Sequence, residues 1–178
     1  MPGPDSRASE AHATEPREGD LRWDIIELLF FAYRDFVGDA DHELEAFGFG
    51  RAHHRVMHFV HRYPGLKVAD LLDVLRITKQ SLGRVLKQLL DEAYIVQKTG
   101  NNDRRQRLLY ATAKGEALVA KLAGMQTKRI DRALDEIGPA GAETVRRFLR
   151  AMIDRDDPDK VLETIFGMAS ANLASTEE

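Results

Sequence analysis

Lys79, Gln80, Gly83, Arg84 and Lys87 sit in the stretch "TKQSLGRVLKQ". At 3.6 residues per helical turn they fall within about 140° of arc. No acidic residue occurs between Lys79 and Lys87. Long cationic donors beside Gln80 and Ser81 are what a helix in the major groove of DNA needs. Lys and Arg hold phosphates or reach guanine edges, Gln pairs with adenine, and the small Ser approaches backbone or base. Thr78 is placed to N-cap this helix, and the free N–H groups of its first turn offer a further phosphate contact. The plainer reading is the solvated polar face of any amphipathic helix, and the missing acidic residue is what argues against it.

A second concentration of charge lies in "QKTGNNDRRQRLLYAT", Gln97 to Thr112. Two strand-like runs flank turn residues, which predicts a β-hairpin. Arg104, Arg105 and Arg107 then stand at its tip and root. Arginines so placed can enter the minor groove, whose negative potential attracts them most where it is narrow. Asp103, two residues from Arg105, can orient a guanidinium by a charge-assisted hydrogen bond. From Arg76 to Lys114 there are nine basic residues and three acidic ones, in a chain whose net charge is -3. A basic module on an acidic body predicts one surface that meets a polyanion.

The third cluster is "HHRVMHFVH". His54, His58 and His61, spaced i, i+4, i+7, fall within about 60° of one helical face. Histidines at i, i+4 can chelate a metal. They share that face with Arg51, Arg55 and Arg62, cations that oppose metal binding. The alternatives are a pocket wall for an anionic effector, formed by Arg51, His54, Arg55, His58 and His61, or a plain polar surface or pH-responsive patch. No metal or cofactor is expected. Asp39, Asp41, His42 and Glu43 read as the solvated end of the preceding helix.

The elements that must position these residues follow from apolar periodicity. "LRWDIIELLFFAYRDFV", from Leu21 to about Val37, is apolar nearly all round, so such a helix must be buried on several sides, for which a subunit interface is the natural place. Phe47 to Tyr63 is helical by period, and Pro64-Gly65 ends it. Val68, Leu71, Leu72 and Leu75 mark a short helix, and Leu82, Val85, Leu86, Leu89 and Leu90 the next. Two short helices across a tight turn, followed by a hairpin, make a winged helix-turn-helix. A long amphipathic helix follows from Ala113 to about Ile137, Gly138-Pro139 breaks it, and helical segments near 142–155 and 160–172 close the chain. Gly83 inside the second motif helix fits either a close approach of DNA or a helix–helix contact.

The fold class is therefore mainly α with a small β-hairpin wing. Residues 1–20, rich in Pro, Gly, Ser and Glu, read as a disordered tail. Then come the helix at 21–46, the winged lobe at 47–112, long helices at 113–172 and a tail at 173–178. The chain has no cysteine, which excludes disulfides, thiolate metal ligation and thiol redox sensing, and fits a cytoplasmic protein. No apolar run reaches the roughly 20 residues of a membrane span. Nucleophile motifs, phosphate-cradling glycine loops and paired catalytic carboxylates are missing, so no enzyme is expected. A winged helix that serves only protein–protein contacts would have no need of the basic face and wing.

Residues Gly65 to Leu118, "GLKVADLLDVLRITKQSLGRVLKQLLDEAYIVQKTGNNDRRQRLLYATAKGEAL", resemble the core of a MarR-family transcriptional regulator. The likeness includes Asp103 and Arg105 of the wing and the "TAKG" of Thr112 to Gly115, and it extends over about residues 21–155. It implies a homodimer with interlocked N- and C-terminal helices and two winged lobes on a near-palindromic operator in double-stranded DNA. It implies that Thr78, Lys79, Gln80, Ser81 and Arg84 lie on the recognition helix and that Arg105 is the wing arginine. Members usually repress, and release DNA when a small-molecule effector binds between the lobes and the dimer helices. Two departures stand out. Ala93 replaces the glycine usual after the recognition helix, so that helix is expected to end differently. The apolar segment Val161, Leu162, Ile165, Phe166 and Met168 extends beyond the usual last helix, to enlarge the dimer interface or fold back over the body.

Overall fold

The computed structural model of the chain describes residues 17–100 and 106–153. The expected wing-tip residues Asp103, Arg104 and Arg105, the segment near 158–172 and the C-terminal tail lie outside them. Among the described residues the helices are α1 (Trp23–Glu45), α2 (Arg51–Arg62), α3 (Val68–Leu75), α4 (Lys79–Asp91) and α5 (Ala113–Ala151). The strands are β1 (Leu66–Lys67), β2 (Ile95–Thr99) and β3 (Arg107–Ala111), and a 3-10 turn spans Glu18–Asp20, inside the stretch expected to be disordered. The chain divides into two compact units, Met1–Arg34 and Asp35–Glu178.

In the first unit several large apolar side chains of α1 remain open, while Ile25, Ile26 and Leu29 are half-buried. Leu28 is 64% and Phe30 70% exposed, with Trp23, Phe31 and Tyr33 also exposed. Arg34 lies over the Phe31 ring at 5.0 Å. The second unit holds the core. Ala40, Leu44, Val56, Met57, Val60, Leu71, Leu82, Leu89, Ile95, Leu109 and Leu122 are essentially inaccessible. Helix α1 runs past the expected end near Val37 because Val37, Ala40 and Leu44 carry its apolar stripe on and are buried.

Helix α2 starts at Arg51 rather than Phe47, since Gly48 has φ 67° and Gly50 is the extended N-cap. The Tyr63–Gly65 turn feeds β1, which pairs antiparallel with β3 through Leu66 opposite Leu109 and Lys67 opposite Leu108. This strand, two residues long, leaves no periodic signal in the sequence and is defined only by its pairing with β3. Strands β2 and β3 form the expected hairpin, registered from Ile95 opposite Ala111 to Thr99 opposite Arg107, so the sheet order is β1-β3-β2. In α5, Gly138 adopts φ 69° and ψ 178° ahead of Pro139, and helix resumes beyond this kink. That backbone region is open to glycine, and Pro139 has no N–H to continue the ladder.

Candidate DNA-binding face

Helices α3 and α4 enclose a three-residue turn, Arg76 to Thr78, in which Arg76 takes the left-handed conformation (φ 49°) as C-cap of α3. Thr78 is the N-cap of α4, its hydroxyl accepting the N–H of Ser81 at 3.1 Å. The same hydroxyl donates to Ser81 Oγ at 2.9 Å, which leaves the Ser81 proton for an outside acceptor. Leu82, Val85, Leu86 and Leu89 bury one face of α4. Thr78, Lys79, Gln80, Ser81, Gly83, Arg84 and Lys87 are all exposed on the other. Lys79, Gln80 and Arg84 have no partner among the described residues, whereas Lys87 pairs with Asp91.

A methyl group built at Gly83 would meet nothing within 4 Å. The helix–helix contact considered for it is therefore not made by the described residues, and the position opens outward, between Lys79 and Lys87 on the helical wheel. In the wing, Arg107 donates to Thr99 Oγ1 at 3.2 Å and Lys98 lies over the Tyr110 ring at 4.8 Å. Part of the root's positive charge is thus held on the hairpin itself.

The end of α4 corrects one expectation. Ala93 does adopt the left-handed conformation, with φ 58°. The N–H of Tyr94 donates to the carbonyl of Leu89 at 2.9 Å and that of Ala93 to Leu90 at 3.1 Å, the paired bonds of a Schellman termination. The start of α5 holds this turn. Thr112 donates to the carbonyl of Ala93 at 2.7 Å, and Lys114 donates to that of Glu92 at 2.9 Å while lying over the Tyr94 ring at 3.9 Å. A Cβ on Gly115 would stand 2.1 Å from the Tyr94 carbonyl oxygen, so only glycine permits this approach. Lys114, counted in the basic module, is therefore spent on the protein.

The histidine face is less available to an anion than its composition suggests. Arg51 pairs with Asp41 at 2.6 Å, and Arg55 donates to the carbonyl of Leu75 at 3.0 Å. His54, His58 and His61 are half-buried. Burial pushes the His54 imidazole below its ordinary range, opposed by Asp41. Burial, then His54, Arg62 and His61, push that of His58 the same way. No group of three or more His, Asp or Glu side chains is placed to hold a metal ion among the described residues. The acidic end of α1 is not simply solvated. Asp39 pairs with Arg129 at 2.8 Å and Glu43 with Lys121 at 2.5 Å, tying α1 to α5. His53, a residue the sequence does not single out, bridges to Gln88 of α4 at 2.9 Å.

The model of the MarR family matches residues 47–106, the lobe that carries this face. The HTH-type transcriptional regulator PetP of Rhodobacter capsulatus is 44% identical over 129 residues, covering 72% of this chain and 78% of PetP. The chain belongs to the MarR family. Solved MarR-like structures share its fold. A MarR family transcriptional regulator from Listeria monocytogenes, complexed with 26mer DNA, aligns with a TM-score of 0.65 at 19% identity, over 81% of this chain and 95% of that one. Streptococcus pneumoniae FabT in complex with DNA aligns with a TM-score of 0.65 at 15% identity, over 72% and 92%. As a MarR-family transcriptional regulator, the protein places α3 and α4 as its helix-turn-helix and β2–β3 as its wing. No helix among the described residues is long and apolar enough to cross a membrane.

Proposed function

We propose that the protein regulates transcription by binding a near-palindromic operator as a homodimer, with one α4 in each of two successive major grooves. The observation that carries this reading is the exposed face of α4, where Lys79, Gln80 and Arg84 are unpartnered among the described residues and no acidic side chain intervenes. Lys79 and Lys87 serve phosphates, while Gln80, Ser81 and Arg84 face base edges. Arg104 or Arg105 enters the flanking minor groove, Asp103 braces it, and Arg107 supports the root. The exposed apolar side chains of α1 are surface for a second copy to cover, and so, separately, are Ile130, Ile137, Phe148 and Leu149 of α5.

In this reading the protein represses and is released by a small-molecule effector. His54, His58 and His61 are half-buried on α2, where Arg51 and Arg55 are already engaged. That favours a neutral or weakly polar ligand over a strongly anionic one.

The test is fluorescence anisotropy of the purified protein on duplex DNA from its own upstream region. Arg84→Ala should weaken binding about tenfold or more, the loss of one base-reading arginine, while melting stays unchanged. Binding by that variant equal to wild type would remove the assignment of α4 to base readout.

A further inference from the structure

Between α2 and α4 runs a chain of three hydrogen bonds whose direction is fixed at both ends. At one end the backbone N–H of Gly50, the N-cap of α2, donates to Nδ1 of His53 at 3.1 Å. At the other, Nε2 of Gln88 donates to Oε1 of Glu92 at 3.0 Å. A backbone amide only donates, and a carboxylate only accepts. Gln88 must therefore turn its Oε1 back towards α2, where it stands 2.9 Å from Nε2 of His53. With acceptance required at Nδ1 and donation at Nε2, one form of the ring fits: neutral imidazole with its proton on Nε2. Phe49 stacks on this ring at 4.8 Å and 11°, and meets Tyr94 edge-on at 5.0 Å, so the plane of the imidazole is held as well.

The leucine stripe of α4 decides that the helix packs, but apolar burial has no direction and leaves its pitch and roll soft. Hydrogen bonds are directional. Gln88 lies one turn beyond Arg84, and Glu92 is the C-cap of the helix, so the chain grips α4 just behind its groove-facing residues. We infer that His53 is a positioning residue for DNA readout. Through Gln88 its Nε2–H sets the attitude of α4 in its seat, and a side chain that does not touch DNA controls how well the operator is told from other sequences. This inference rests on the DNA-binding reading above.

Gln88→Met keeps length and apolar bulk but removes the acceptor and the donor. His53→Gln keeps both polarities, since Gln at this helix position accepts the N-cap N–H and retains an N–H to give. Affinities are read for the operator and for an unrelated duplex, beside melting. Q88M should lose about fivefold in operator affinity, the worth of one net hydrogen bond, with unrelated DNA bound as before. H53Q should bind the operator as wild type does.

Undiminished operator binding by Q88M overturns the inference. So does an equal loss on both duplexes, which marks a merely structural role, or an operator loss in H53Q with unchanged melting. Side-chain 15N NMR of the wild-type protein provides a check that needs no DNA. The proton is expected on Nε2 of His53, and finding it on Nδ1 overturns the chain whatever the binding results. A wild-type protein with no operator preference would remove the DNA reading instead, and the NMR result would then judge the chain alone.

Discussion

The hydroxyl of Thr112 donates to the carbonyl of Ala93 at 2.7 Å, across 19 residues of sequence. It holds an alanine in a conformation that favours glycine, φ 58°. The left-handed region costs an L-residue on the order of 1–2 kcal/mol, part of which glycine returns as unfolded-chain entropy. Ala93→Gly should therefore stabilise the protein by about 0.5–1 kcal/mol. Thr112→Val, which also removes the N-cap bond to Gly115, should cost about 1–2 kcal/mol. Urea denaturation midpoints check both. A midpoint for Ala93→Gly at or below wild type would show the turn to be unstrained.

Gly83 is exposed and lies inside α4, and a Cβ added there would meet nothing within 4 Å among the described residues. On propensity alone, Gly83→Ala should gain about 1 kcal/mol of stability. The added methyl would project from the middle of the exposed side proposed to face the groove, so operator affinity should fall while melting temperature rises. Calorimetry and anisotropy on the same preparation read the two effects. If affinity rises with stability, the glycine serves no close approach.

Lys79 is unpartnered among the described residues, whereas Lys87 is matched by Asp91. A phosphate contact releases counterions and contributes roughly 0.9 to the slope of log affinity against log salt. Lys79→Ala should lower that slope by about 0.9 per protomer, and Lys87→Ala should lower it less. Titrations from low to moderate salt measure this, and equal slopes for both variants would contradict the ranking.

Burial holds His54 and His58 below the ordinary histidine range in the folded chain. The unfolded chain therefore takes up protons first as pH falls through about 6.5. Stability should be unaffected well above that value, then decline as pH drops towards the lower folded-state range, where the penalty becomes complete. A double substitution, His54→Gln with His58→Gln, should flatten the melting-temperature profile between about pH 7.5 and 5. A profile as steep as wild type would place the proton uptake elsewhere.

The sequence by itself determined the succession of helices and the hairpin, the apolar stripes of α3 and α4, the N-cap at Thr78 and the break at Gly138, because each is written in neighbouring residues. It also determined the cationic face of α4, since charge and 3.6-residue spacing are local properties. Tertiary structure decided which basic side chains elsewhere in the chain are held by the protein itself. Lys114 is drawn to a carbonyl and a tyrosine ring, Arg55 to the end of α3, and Arg51 to Asp41, each through a contact distant in sequence. It also decided that Ala93 turns left-handed, because the start of α5 packs there, and that His53 reaches Gln88, 35 residues away. The two-residue strand β1 exists only because β3 lies beside it. Periodicity reports which face of an element is apolar. Which donor meets which acceptor is settled only when the faces close on one another.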